Sequence, residues 1–314
     1  MNTILNFNRH TGYSYLLSKT GLEFDTCSKW DIDERPLPSN VNLISLDEAV
    51  INIKNSKYKT IISHYRKDFF MVLKYLKRTS DVKLIYTTHG RYQRSELHPN
   101  YLHRAAKFGY KNILNIISKT NRNIKFVFIS PCAKMSWGIN GFVINPGIDI
   151  NDFSISDFTA DKLLVVGNNL HRHYFKFNFL KNIEKKIPTS IIGYNPYLEA
   201  AKKAENYNDL ISYYKSHNAY LYLADEPEEG FNLSLLEAMA SGLPVVTMFH
   251  PTSPIRHNYN GLVAFNEKDY IDYCNLLLKD NILAQQLGKN ARETVKNFFS
   301  IDEFIRKWRY VIEE

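Results

Sequence analysis

Several things are scarce in this chain, and each scarcity excludes something. Cysteine occurs three times in 314 residues, at Cys27, Cys132 and Cys274, never as a C-x-x-C pair. Isolated thiols build neither a disulfide framework nor a zinc site, so a reducing, cytoplasmic setting is the expectation. No run of about 18 apolar residues occurs, which argues against a transmembrane helix. Met1 to His10 has no charged n-region followed by an apolar h-region, so no signal peptide is expected. Internal repeats and low-complexity tracts are absent. Glycine is thin where nucleotide enzymes use it most. No G-x-G-x-x-G follows the strand-like runs Thr3 to Asn8 or Leu163 to Gly167, which disfavours a nicotinamide enzyme. Acid is scarce in the first half: residues 1 to 150 hold 22 Lys/Arg against 11 Asp/Glu, the remainder 18 against 21. A basic half and a slightly acidic half imply different partners.

What is present suits two globular domains. The length is comfortable for two units of about 150 residues, and an apolar content of 44% is ordinary. The most informative stretch runs from Ala219 to Val246. Ala219 to Ala224 reads as a buried strand, Asp225 to Gly230 as an acidic loop punctuated by Pro227 and Gly230, and Asn232 to Ala240 as a helix. Leu233, Leu236, Met239 and Ala240 fall on one helical face. Gly242 stops the helix, and Pro244-Val245-Val246 opens the next strand. A helix amino end offers unpaired N–H groups and partial positive charge, a natural seat for a diphosphate. Glu229 precedes that end and Glu237 lies inside the helix. Carboxylates are poor phosphate ligands but good acceptors for sugar hydroxyls. A nucleotide-sugar meets both demands, with hydroxyls on either side of a diphosphate.

Glu229-x7-Glu237, with Gly230-Phe231 inside and Glu237-Ala-Met-Ala-Ser-Gly-Leu-Pro-Val-Val behind, resembles the signature of retaining GT-B glycosyltransferases of the GT4 type. The resemblance implies that Glu229 holds donor-sugar hydroxyls and Glu237 the ribose hydroxyls. The backbone N–H groups of Asn232, Leu233 and Ser234 would hold the phosphate; the family usually has Gly where Asn232 stands. Asn145-Pro-Gly-Ile-Asp149, followed by Phe153, resembles the family's interdomain crossover, and Asn260-Gly261-Leu-Val263 its N-G-x-[LV] hairpin. The family usually has Gly-Arg where this chain has Gly167-Asn168, and a Lys several residues later. Asn168 replaces that Arg. Lys176, and less so Arg172, are the candidates to neutralise the diphosphate, since metal-free phosphate departure needs cations at the leaving group. Gly193 falls where the nucleotide base commonly packs.

The first half matches the family loosely, by element order. Arg9-His10-Thr11-Gly12 stands where such enzymes carry a glycine-rich loop, and it offers the single Gly12. Thr87-Thr88-His89-Gly90 ends an apolar strand. Ligands of open α/β sheets bind at the carboxyl ends of strands, so His89 is expected to face a ligand, as a histidine often does at this point of the family; a structural histidine is the alternative. From Arg91 to Lys125 come eight basic residues, Arg91, Arg94, Arg104, Lys107, Lys111, Lys119, Arg122 and Lys125, against Glu96, with tyrosines interleaved. That suits anionic lipid headgroups or a nucleic-acid backbone; a solvated face is the plain alternative. Asp31-Ile-Asp33 reads as an exposed loop rather than a metal-bound D-x-D.

The expectation is therefore a GT-B α/β chain of two Rossmann-like domains with parallel sheets facing across a cleft: 1–150 on the acceptor side, 151–300 for the donor, and a helix at 301–314 crossing back. Asn151 to Asp161 reads as a polar linker. The activity implied is retaining, metal-independent transfer from a UDP- or GDP-sugar, with Glu229, His89, Lys176 and Arg172 at the reacting centre and no cofactor. His10, Gly12 and Arg91 fall on the acceptor side. The expected acceptor is a sugar, lipid-linked or polysaccharide hydroxyl, anionic or on an anionic membrane surface. Nucleic acid is the runner-up, and an inactive donor-binding partner subunit a further alternative.

Overall fold

The structure is a computed structural model; it describes residues 3–76, 81–92, 101–171, 176–224 and 229–313, with side chains of 101–107 left aside. The chain divides into two compact units, one of Met1–Pro146 with Asp302–Glu314, the other of Gly147–Ile301. The final helix thus belongs to the first unit.

In the first unit seven parallel strands follow the order β3-β2-β1-β4-β5-β6-β7. They are β1 (Ile4–Phe7), β2 (Phe24–Cys27), β3 (Val41–Ile44), β4 (Thr60–Ser63), β5 (Lys83–Thr88), β6 (Ile124–Phe128) and β7 (Phe142–Val143). Helices α1 (Thr11–Ser18), α2 (Leu46–Lys54), α3 (Arg66–Tyr75), α4 (Tyr101–Thr120) and α5 (Pro131–Trp137) connect them. Leu5, Phe7, Ile61, Leu84, Tyr86, Phe126 and Phe128 project into one core with Phe69 and Val72 of α3 and Leu114 of α4. The last helix of the chain, α11 (Ile301–Glu313), buries Phe304, Trp308 and Val311 in this unit. Arg309 donates from Nε and Nη2 to the Thr20 carbonyl at 2.9 and 2.6 Å, and Lys83 Nζ to that of Ile312 at 2.8 Å.

The second unit holds six parallel strands in the order β10-β9-β8-β11-β12-β13. These are β8 (Leu163–Val166), β9 (Thr189–Ile192), β10 (Ala201–Lys202), β11 (Ala219–Tyr222), β12 (Val245–Met248) and β13 (Gly261–Ala264). Its helices are α6 (Phe177–Lys186), α7 (Tyr207–Ser216), α8 (Leu233–Ala240), α9 (Glu267–Lys279) and α10 (Asn281–Phe298). Side chains alternate between the faces of a strand, and both faces here are covered. Leu164, Ile192, Tyr220, Tyr222, Val245 and Val263 enter one core with α8 and α10. Leu163, Val165, Ile191, Ala219, Leu221, Val246 and Leu262 enter the other with α6 and α9. A sheet buried on both faces reads as continuous apolar runs, which is how these strands read in the sequence.

Three features differ from the sequence reading. Asn151 to Asp161 is no polar linker: Phe153, Ser156 and Phe158 are buried. Phe153 and Phe158 join the two cores of the second unit, and Ser156 donates to the His217 carbonyl at 2.8 Å. The stretch leading to 260–263 is loop then strand, as read, but β13 lies parallel to β12 and forms no hairpin with it. Helix α8 has no wet side beyond its first turn. Every residue from Leu235 to Ala240 is buried, because the sheet covers one side and α10 another. Closeness to α10 depends on two glycines. Gly242 adopts φ +71 just past the helix, and a Cβ on Gly288 would overlap the Gly242 carbonyl oxygen. Arg292 of α10 meets three carbonyls, those of Phe153 at 2.8 Å, Ile150 at 3.0 Å and Ala240, and so places a cation at the carboxyl end of α8. Overpacking at such a contact costs about 1–3 kcal/mol. Gly288→Ala is therefore expected to lower the urea midpoint of the second unit accordingly; an unchanged midpoint would show that the two backbones can separate freely.

Candidate active site

Both sheets reverse their winding once, and the candidate residues gather at those points. In the second unit the reversal lies between β8 and β11. A crevice at the carboxyl ends of such strands is where open α/β sheets take ligands. Gly167 and Asn168 follow β8, Gly193 follows β9, and Leu223 and Glu229 follow β11. Helix α8 opens there as well. Its cap Asn232 accepts from the Leu235 N–H through Oδ1 at 2.9 Å, a standard use of asparagine at that position. This gives the departure from glycine a local reason. Ser234 Oγ lies 3.0 Å from Asn232 Oδ1, 3.0 Å from Tyr220 Oη and 3.2 Å from the Val166 carbonyl. Tyr220 Oη donates to that same carbonyl at 3.1 Å, and burial pushes its phenol well above the usual range. The amino end of α8 is thereby fastened to the last residue of β8. The cap engages Leu235 and leaves the N–H groups of Leu233 and Ser234 at the open end of the helix.

The two carboxylates flank this end. Glu229 is buried, and its carbonyl accepts from Tyr222 Oη at 3.2 Å. Gly230 donates its N–H to Thr252 Oγ1 at 2.7 Å. A Cβ on Gly230 would sit 2.6 Å from His250 Nδ1 and overlap the Ser253 backbone, so only glycine lets the loop approach. Phe231 anchors the loop by packing on Phe299, ring centroids 5.4 Å apart. Glu237, one turn into α8, is buried and accepts from Tyr214 Oη at 3.1 Å. Asn168 is engaged locally: its Oδ1 accepts from the Tyr194 N–H at 2.7 Å. Gly193 adopts φ +131, and a Cβ there would overlap the Gly167 carbonyl. Lys176 caps α6 and its N–H donates to the Leu223 carbonyl at 3.1 Å, which puts it beside the end of β11. Arg172 lies outside the described residues.

In the first unit the reversal lies between β1 and β4. Asn8, Arg9 and His10 follow β1, His64 follows β4, and His89 and Arg91 follow β5. The His10 and His89 rings meet edge-on at 5.7 Å, and Tyr13 meets His89 at 4.6 Å. His64, which the sequence reading passed over, is buried and its Nδ1 lies 2.8 Å from His89 Nε2. The signal was available: His64 closes an apolar run in the same way as His89. The single Gly12 is not open, since its N–H donates to Glu34 Oε1 at 3.2 Å. Burial raises the Glu34 carboxyl above the usual range, against the charge of Arg35 and that hydrogen bond. Asp31 Oδ1 closes its own turn, accepting from the N–H groups of Asp33 and Glu34 at 3.1 and 3.3 Å.

The guanidinium of Arg9 stacks over Tyr65 at 4.3 Å and that of Arg66 over Tyr110 at 5.4 Å. Neither they nor Arg91 form an ion pair among the described residues. Part of the basic run is used internally. Lys111 Nζ donates to the Ser136 carbonyl at 3.0 Å and Lys125 lies over the Phe142 ring. Arg94 and the side chains of Arg104 and Lys107 lie outside the described residues. No helix among the described residues is long and apolar enough to cross a membrane.

Two Rossmann-like units with parallel sheets define the GT-B class of glycosyltransferase fold. Residues 201–294 match the family model Glycosyl transferases group 1. Over 93 residues the chain is 32% identical to the poly(ribitol-phosphate) alpha-N-acetylglucosaminyltransferase of Staphylococcus aureus (strain COL), a match covering 28% of this chain and 19% of that protein. Its fold is similar to TarM (TM-score 0.64, 16% identity, 81% of this chain and 55% of that one). It is also similar to Anabaena Alr3699/HepE in complex with UDP and glucose (TM-score 0.72, 12% identity, 100% of both chains). The chain thus spans 55% of TarM and a smaller share of the curated relative.

His64 and His89 carry a pH signature. Burial, then the charges of His10 and Arg9, brings His64 down to about 3 from 6.5. Burial, then His64, His10 and Arg9, lowers His89 well below its usual value. Unfolded histidines take up a proton near pH 6.5 while these folded ones do not. Stability from this pair is complete above about pH 6.5 and is lost as pH falls toward 3. The slope is about 1.4 kcal/mol per pH unit for each histidine. His64→Gln should flatten the dependence of the first unit's urea midpoint between pH 6.5 and 4; an equal slope in both proteins would contradict the buried neutral pair.

Proposed function

We propose that the chain is a nucleotide-sugar-dependent glycosyltransferase of the retaining, metal-independent GT4 type. The observation that carries this is the amino end of α8, open at Leu233 and Ser234 between two buried carboxylates. The diphosphate sits at that end, stabilised by the helix dipole and N–H groups. Glu229 accepts from donor-sugar hydroxyls and Glu237 from the ribose. Lys176, with Arg172, offsets the charge that develops on the leaving diphosphate. Gly167, Asn168 and Gly193 shape the wall against which the base packs. His89 contacts a substrate hydroxyl. The acceptor meets the first unit near His10, Gly12 and Arg91; the Gly12 N–H itself is occupied by Glu34.

An anionic acceptor is favoured by the basic first half and by Arg9, Arg66 and Arg91 without carboxylate partners among the described residues. The acceptor in the name of the S. aureus relative, poly(ribitol phosphate), belongs to that class of chemistry. An inactive donor-binding subunit is the second reading, favoured by Asn168, whose amide oxygen is engaged by Tyr194 where the family usually has a cation.

Transfer from a panel of UDP- and GDP-sugars in EDTA, UDP-N-acetylglucosamine first, onto phosphate-bearing and neutral glycan acceptors tests the reading. Product that keeps the donor's anomeric configuration, undiminished by EDTA and greater on the phosphate-bearing acceptor, is expected. Strict dependence on manganese or magnesium would contradict metal independence, and binding without any transfer or hydrolysis would favour the inactive subunit.

The two carboxylates should separate by calorimetry. Glu229→Ala is expected to abolish transfer while UDP binding stays near native. Glu237→Ala should weaken UDP itself about tenfold to hundredfold, the worth of a charged hydrogen bond of about 1.5–3 kcal/mol. The reverse pattern would mean that the donor lies the other way round.

A further inference from the structure

The polar chain behind His89 has a direction, and its far end reveals it. The Lys29 carbonyl can only accept, so Asn8 Nδ2, 2.8 Å away, donates to it. That fixes the Asn8 amide and turns its Oδ1 toward Ser14 Oγ at 2.8 Å, where the serine must donate. A hydroxyl has one hydrogen, so Ser14 Oγ accepts from Asn6 Nδ2 at 3.0 Å. Asn6 Oδ1 then faces His64 Nε2 at 2.9 Å, and that nitrogen carries the hydrogen. A neutral imidazole has one N–H and one lone pair. His64 Nδ1 is therefore an acceptor, and His89 Nε2, 2.8 Å away, donates to it. The remaining nitrogen of His89, Nδ1, is left with a lone pair.

We infer that the chain Asn8–Ser14–Asn6–His64 holds His89 as its Nε2–H tautomer, so that Nδ1 is an acceptor for a substrate hydroxyl, with His64 as the positioning residue. The inference rests on the glycosyltransferase reading for the nature of that hydroxyl, but not for the tautomer. Asn6, Ser14 and His64 are buried, so water does not compete for the inner links of the relay, whose outer link from Asn8 to Lys29 is exposed. His89 is packed by Tyr13, His64 and His10, with ring centroids at 4.6, 4.9 and 5.7 Å. Tyr13 and His10 meet it edge to face, and the low proton affinity of both buried histidines keeps the rings neutral. A lone pair at Nδ1 selects for an O–H donor and against a phosphate or carboxylate oxygen. The device thus sorts hydroxyl from anion in a region that feels the charge of Arg9.

The test uses the full chain with 15N-labelled histidine and long-range proton–nitrogen correlation spectra, His89 being assigned by its loss in His89→Gln. The native spectrum is expected to give His89 a protonated Nε2 and a bare Nδ1. His64→Leu removes the acceptor and should populate both tautomers. His64→Gln, able to accept from His89 and donate to Asn6, should restore the Nε2–H form. In transfer assays His64→Leu should raise the KM of the substrate that His89 contacts by about five- to tenfold, one neutral hydrogen bond, and His64→Gln by less. A native Nδ1–H tautomer, or the same His89 signals in His64→Leu as in the native protein, would overturn the inference. Should a His64 variant fail to fold, the native spectrum decides alone. An absence of transfer with the expected tautomer would count against the functional reading and leave this one standing.

Discussion

Much of the second unit depends on how the amino end of α8 is held. A helix end that keeps its first N–H groups open must be fixed without consuming them. The chain does this from behind. Ser234 and Tyr220 hydroxyls converge on the Val166 carbonyl, and Asn232 caps the third N–H and leaves the first two. Everything else follows from that position. Glu237 lies one turn in because the helix starts at Leu233, and Glu229 lies just outside because Gly230 lets the loop press against His250 and Ser253. Arg292 meets the opposite end of the same helix, so the negative pole of its dipole is matched.

The first unit solves a related problem with polar side chains. Strands β1, β4 and β5 and the residues just after them carry Asn6, Asn8, His64 and His89 rather than an open glycine loop, and the N–H of Gly12 is occupied by Glu34. A network of this kind, buried at Asn6, Ser14 and His64, is rigid and directional. It suits a site that must distinguish one hydrogen-bonding partner from another. Beside these residues the guanidinium groups of Arg9 and Arg66 stack on Tyr65 and Tyr110.

Much of this was legible in the sequence. Strands β5, β8 and β11 announce themselves as apolar runs, and the α8 segment carries a cap, a loop glycine and a terminating Gly242. What was not legible has physical causes. Helices α4, α5 and α6 went unassigned: α4 hides in a charge run, and α6 opens on Phe177 and Phe179 two residues apart, a strand-like spacing. Phe153 and Phe158 were read as part of a polar linker because two aromatics among Asp, Asn and Ser show no period, yet both are core residues. Asn168 reads as a missing cation in sequence, whereas in space its amide oxygen shapes the turn beside Gly193. His64 and Tyr214 were missed because their partners, His89 and Glu237, lie 25 and 23 residues away, beyond any local spacing rule.

The central claim is that the amino end of α8 receives the diphosphate of a nucleotide-sugar. The most direct measurement is a backbone amide spectrum recorded during titration with UDP. The account predicts that the Leu233 and Ser234 amides shift most, and downfield, as expected for N–H groups that gain an anionic acceptor, with smaller changes at Gly167 and Gly193. Saturable binding that leaves Leu233 and Ser234 unmoved while shifting amides elsewhere would contradict it.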